Sequence, residues 1–118
     1  MRHHSSVKKL GLERKGRTAL IRTLAVSLFE HGRIQTTETR AKALRPYVER
    51  IVTKAKENTL ASKRYVESVL GSGAASVMKQ VTERSQASKA RAGGYTRIIK
   101  MIQRKSDGAA RAIIEFVD

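Results

Sequence analysis

The chain has 118 residues, 25 of them Lys or Arg against 10 Asp or Glu, which leaves a formal net charge of +15. That length suits one domain, and a chain of this size buries roughly two-thirds of its unfolded surface, enough for a modest core without staples. The absence of cysteine excludes disulfide scaffolds, thiolate zinc sites and cysteine nucleophiles.

Residues 1–17 read as a basic arm ahead of a single domain over 18–118. The arm carries six basic side chains against one acidic and, after Met1, only Val7, Leu10 and Leu12 as larger apolar groups. Such a segment cannot bury enough surface to fold alone and is expected to order against a partner. From Thr18 to His31, the residues Leu20, Ile21, Leu24, Ala25, Leu28 and Phe29 make one apolar stripe at helical spacing. Thr18 is the expected N-cap, and Gly32 sits where a left-handed residue ends a helix. Arg33–Thr37, rich in β-branched residues, predicts a short strand.

Thr37 or Thr39 is placed to cap a second helix running to about Lys56, with Ala41, Leu44, Val48, Ile51 and Ala55 on its buried side. Pro46 lies inside it, removes a backbone donor and crowds the carbonyl of Lys42, which predicts a kink or a loose first half. A third helix starts at Asn58 or Thr59, is anchored by Leu60, Val66, Val69 and Leu70, and stops at Gly71-Ser72-Gly73. A short fourth helix spans about Ala74 to Arg84 on Val77, Met78 and Val81, and Ser85 to Ala92 reads as a loop. Tyr95 to Ile102 and Ala109 to Val117 alternate with period two, and the loop between them contains Asp107-Gly108, so an antiparallel hairpin is expected. The order helix, strand, three helices, two strands predicts a two-layer α+β fold: a small mixed sheet with helices on one face and the other face free for a partner.

The pI near 11.0 calls for a polyanionic partner, nucleic acid or an anionic membrane. No apolar run approaches the roughly 20 residues that span a bilayer. The start Met1-Arg2-His3-His4-Ser5-Ser6 has no signal-peptide core, so a cytoplasmic protein with its mature terminus here is expected. The first helix carries only Arg22 on its polar face, whereas a membrane-surface helix is Lys-rich there. Catalytic signals are missing: there is no Gly-x-Ser-x-Gly elbow and no Walker loop, and pairs such as Glu49/Arg50 and Glu83/Arg84 fit solvated helix faces. An enzyme, a cofactor and a small-molecule substrate are not expected. The spacing Met1-Arg2-His3 could chelate copper or nickel through a free terminal amine, but a phosphate-contacting His3-His4 pair is the favoured reading and no metal site is assigned.

The basic residues carry the function. Arg2, Lys8, Lys9, Arg14, Lys15 and Arg17 are spaced by Gly and Ser so that they can follow phosphates. In Gly93-Gly94-Tyr95-Thr96-Arg97 the glycines either open a strand or let backbone approach a ligand, while Tyr95 offers a ring or a hydroxyl. His31 at a helix end either complements the dipole or meets RNA. Three Tyr and two Phe are too few for a base-stacking reader of single strands, which favours recognition of folded RNA by shape and backbone. No heptad zipper or recognition-helix pair is apparent. An architectural, nucleoid-type DNA-binding protein is the alternative that charge alone would also explain.

Five motifs in order, Met1-Arg2-His3, His31-Gly32-Arg33-Ile34-Gln35-Thr36-Thr37, Ala41-Lys42-Ala43-Leu44-Arg45, Gly93-Gly94-Tyr95-Thr96-Arg97-Ile98 and Ala112-Ile113-Ile114-Glu115, resemble the bacterial large-subunit ribosomal protein seventeen family. The family's pattern differs at Gly16, Thr23 and Ser106-Asp107-Gly108-Ala109, and residues 71–92 match poorly. The resemblance implies a non-enzymatic, ribosome-bound component of the large subunit. It would bind large-subunit ribosomal RNA near the polypeptide exit tunnel, touch neighbouring ribosomal proteins and support assembly and translation. Carried over, Arg2, His3, His31, Gly32, Arg33, Lys42, Arg45, Tyr95 and Arg97 would face RNA. With His4, Lys8, Lys9, Arg14, Lys15, Arg17, Arg22, Gly93, Gly94, Arg104 and Lys105 they form the expected contact set.

Overall fold

A computed structural model describes residues 10–117. Arg2, His3, His4, Lys8 and Lys9 of the expected contact set lie outside the described residues. Four helices and three strands follow in the order α1 (Arg14–His31), β1 (Arg33–Thr37), α2 (Glu38–Ala55), α3 (Leu60–Leu70), α4 (Ala74–Ala87), β2 (Thr96–Lys100) and β3 (Arg111–Phe116). One turn of 3-10 helix, Gly71–Gly73, joins α3 to α4. Among the described residues, no helix is long and apolar enough to cross a membrane.

Helix α1 starts four residues earlier than its apolar stripe indicates. Glu13 is its N-cap, without a side-chain cap bond, and the Thr18 hydroxyl donates to the Arg14 carbonyl instead of capping. Its end is as expected: Gly32 takes φ of 78° and its N–H donates to the Leu28 carbonyl at 2.7 Å. The Thr37 side chain caps α2 by accepting from the Arg40 N–H at 3.3 Å. The helix runs unbroken through Pro46, and its first half is not loose, since Ala41 and Leu44 are fully buried. Lys42 and Pro46 both face solvent, so water can satisfy the carbonyl that the proline leaves without a donor.

Thr59 and Ser62 form a reciprocal capping box for α3, each side chain accepting from the other residue's N–H at 3.1 and 2.9 Å. Leu60 is no anchor: as the first residue of that helix it is 65% exposed. The stretch read as a loop from Ser85 continues α4 by one turn, because Ser85 and Ser88 are small enough to be buried against the core.

The sheet order is β1-β3-β2. Both pairings are antiparallel, so the sheet is not mixed: β1 and β2 run parallel to each other but β3 lies between them. Residues Ala112, Ile114 and Phe116 of β3 are buried, with Ile34 and Ile98 packed beside them. They meet Ala25, Leu28 and Phe29 of α1, the apolar side of α2, and Val77 and Val81 of α4 in one core. The Phe29 and Phe116 rings lie 5.2 Å apart, and the Arg84 guanidinium covers Phe116 at 4.7 Å.

Candidate nucleic-acid interface

Alternation along the strands turns one set of side chains to the helices and the other outward. The outward set on β3 is Arg111, Ile113 and Glu115; opposite them stand Arg33, Gln35 and Thr37 on β1 and Arg97 and Ile99 on β2. Register places Arg33, Glu115 and Arg97 in one row. Glu115 accepts from Arg97 Nε at 2.7 Å and stands 3.7 Å from Arg33 Nε. The carboxylate is mostly covered, at 13% exposure, while the two guanidiniums remain 59% and 60% exposed. One acid therefore fixes two arginines whose outer N–H groups stay available, a geometry suited to phosphate. The next row, Gln35–Ile113–Ile99, supplies an amide and an apolar strip, and Ile99 is 41% exposed.

Arg14 and Lys15, expected in the arm, form the exposed first turn of α1, and Arg17 follows them, its Nη1 donating to the Leu12 carbonyl at 3.1 Å. No acidic residue shares that turn. Three cations thus crowd the positive end of the helix dipole, where an anion is the stabilising neighbour. His31 occupies the last turn of α1, an exposed position in which a cation complements the dipole.

On α2, Lys42 pairs with Glu38 at 2.9 Å, and Lys100 reaches the same carboxylate at 3.6 Å. These contacts, the Lys42 hydrogen bond first, hold the Glu38 carboxyl below its ordinary range. Arg45 is exposed. In the hairpin loop, Arg104 grips Asp107 through two bonds of 2.9 and 2.7 Å, which lower the Asp107 carboxyl to about 2. Lys105 is exposed beside them.

Gly93 and Gly94 are exposed, and a Cβ at either would meet nothing within 4 Å. Gly94 is required by its φ of 67°, whereas neither conformation nor crowding within the chain calls for glycine at 93.

Two expected contact residues are engaged within the fold, Tyr95 buried and Arg22 half-buried. Tyr95 is 1% exposed, so its ring cannot stack on a base. Its hydroxyl takes a bond from Lys56 Nζ at 3.0 Å and another from the Thr53 hydroxyl at 3.3 Å, and these push the phenol's proton affinity down. Lys56 also covers the Tyr95 ring at 4.9 Å. Arg22 reaches from α1 to the end of α3, where Nε donates to the Val69 carbonyl at 3.0 Å and Nη2 to that of Ser68 at 3.4 Å. The Tyr47 hydroxyl donates to the same Val69 carbonyl. Arg22 therefore satisfies helix-end acceptors.

Arg111, Gln35 and Ile99 are outward groups that the contact set lacks. Arg111 and Ile99 lie in the two alternating runs, where Arg111 and Glu115 share a parity that marks that side as the wet one; Gln35 lies outside those runs, in β1. Among the described residues, no cluster of three or more His, Asp or Glu could hold a metal ion.

The family model described as Ribosomal protein L17 matches residues 20–117. The chain is 48% identical over 120 residues to the Large ribosomal subunit protein bL17 of Nautilia profundicola, covering 99% of this chain and 98% of that protein. It is 44% identical over 119 residues to the protein of the same name from Persephonella marina, covering 100% and 96%. The counterpart from Sphingopyxis alaskensis is 48% identical over 118 residues, covering 100% of this chain and 84% of its own length.

Proposed function

We propose, from the premise that this chain belongs to the ribosomal protein L17 family, that it binds large-subunit ribosomal RNA by charge neutralisation and shape fit. The family makes it a structural constituent of the large ribosomal subunit and places it in a non-enzyme class. In the proposed complex, Arg14 and Lys15 of α1, Arg33, Arg97 and Arg111 of the open sheet face, and Arg45 and Lys105 lie against phosphates. Arg2, His3, His4, Lys8 and Lys9 continue that track. Backbone at Gly93 approaches RNA closely. The proposed site is near the polypeptide exit tunnel, beside other large-subunit proteins, on ribosomes in the bacterial cytoplasm, and binding supports subunit assembly and translation.

The observation that carries the RNA half of this reading is the first turn of α1. Exposed Arg14 and Lys15 stand there at the positive helix end, with no acidic residue in the turn itself and only Glu13 at the N-cap beside them, an arrangement that favours an added anion.

Sedimentation of the native protein tests the reading. Lysate is run on a sucrose gradient in magnesium, with and without ribonuclease, and the chain is followed by mass spectrometry. Stoichiometric presence in the large-subunit peak, lost on digestion, is expected. Recovery in a light or DNA-associated fraction would overturn the proposal, the latter in favour of an architectural DNA-binding role.

A further inference from the structure

Where β1 runs into α2, a cleft of about 260 Å³ is lined by Gln35, Thr36, Thr37, Arg40, Arg104 and Arg111. Its three guanidiniums come from three places: the first turn of α2, the hairpin loop and the start of β3. No carboxylate and no aromatic ring lines it among the described residues.

Each arginine keeps donors to spare. Arg111 Nε donates to the Ile102 carbonyl at 3.0 Å, which orients the group and leaves both terminal nitrogens open. Arg104 gives Nε and Nη2 to Asp107 and keeps Nη1. The Arg40 guanidinium has no ion pair or hydrogen bond among the described residues, and it sits at the positive end of α2, where the helix dipole opposes a cation. The Thr37 hydroxyl accepts from the Arg40 N–H, so its own hydrogen is free to donate.

We infer that this cleft seats a backbone phosphate of RNA, an inference that rests on the RNA-binding reading above and gives it a specific anchor. Converging guanidiniums with a hydroxyl and an amide match the oxygens of a phosphodiester. A lining without aromatic groups offers no platform for a base. Nothing in the sequence links Arg40 to Arg111; only the meeting of β1, α2 and the hairpin makes them neighbours.

The test follows the arginine Nε–Hε signals of the full chain by NMR during titration with a structured large-subunit ribosomal RNA fragment, and separately with inorganic phosphate. With RNA, the Arg40, Arg104 and Arg111 signals should shift together. The R40Q/R111Q variant, checked by circular dichroism for unchanged helix content, should lower the salt slope of RNA binding by about 0.7–0.9, the share of one phosphate. RNA binding that moves other arginines and leaves these three still would overturn the cleft while sparing the wider reading. A response to phosphate with none to RNA would make it a free-anion site and overturn it too. Absence of any RNA binding would sink both.

Discussion

Neutralising the start of α1 should make the free protein more stable and the bound one weaker. Arg14 and Lys15 are exposed, lie in the first helical turn and have no acidic neighbour in that turn. A cation at this end costs roughly 0.3–1 kcal/mol at low ionic strength, and glutamine has nearly the same helix propensity as either residue. The R14Q/K15Q variant should therefore gain about 0.5–2 kcal/mol. An unfolding entropy of about 2.1 cal/mol/K per residue makes 1 kcal/mol worth roughly 4 °C here, so Tm should rise by about 2–8 °C. Arg17 is left alone because its side chain holds the Leu12 carbonyl. If each replaced cation met one RNA phosphate, the slope of log affinity against log salt should fall by about 1.4–1.8, which near 0.1 M salt is roughly 25–60-fold in affinity. Thermal melts at low salt and RNA titrations between 50 and 200 mM read the two effects. A drop in Tm would refute the dipole argument, and unchanged RNA affinity would refute the contact.

Removing Arg22 should do the opposite. Arg22→Ala takes charged donors from the Val69 and Ser68 carbonyls, and a loss of about 1.5–3 kcal/mol in chemical denaturation is expected while the folded fraction binds RNA as before; a selective loss of RNA affinity would return Arg22 to the interface. The hairpin loop carries a pH signature. Asp107 has its proton affinity lowered from 3.8 to about 2 by Arg104 and the Ala109 N–H, so its favourable contribution is fully present above about pH 4 and disappears as pH falls toward 2. A carboxyl titration by NMR should give a midpoint near 2 that Arg104→Gln moves back toward 3.8; a midpoint already at the ordinary value in the unaltered chain would contradict the ion pair.

Apolar periodicity made much of this fold readable. The stripe from Leu20 to Phe29, the Gly32 terminus, the Thr37 cap and the two alternating C-terminal runs all stand where their spacing puts them, because burial selects those positions. Errors fell where burial gives no signal. The first turn of α1 is fully wet apart from Arg17, so no apolar residue announces it. The last turn of α4 is packed through serines, which look like loop residues. Tyr95 beside two glycines resembles an exposed ligand contact, yet the phenol finds Lys56, whose sequence distance is 39 residues, and together they close one edge of the core. Arg22 looks like any polar-face arginine until α3 arrives beneath it.

The interface was harder to read than the fold for a related reason. A surplus of +15 says that an anion is needed but not which cations meet it. Tertiary structure divides them: Arg22, Lys56 and Arg84 are committed to carbonyls or rings of their own chain. Arg14, Lys15 and Arg40 instead stand at helix starts, where the free fold is destabilised by their charge. Cations of this second kind are stabilising only when something negative lies beside them. In the proposed complex it is their placement, more than their number, that a polyanionic surface would complete.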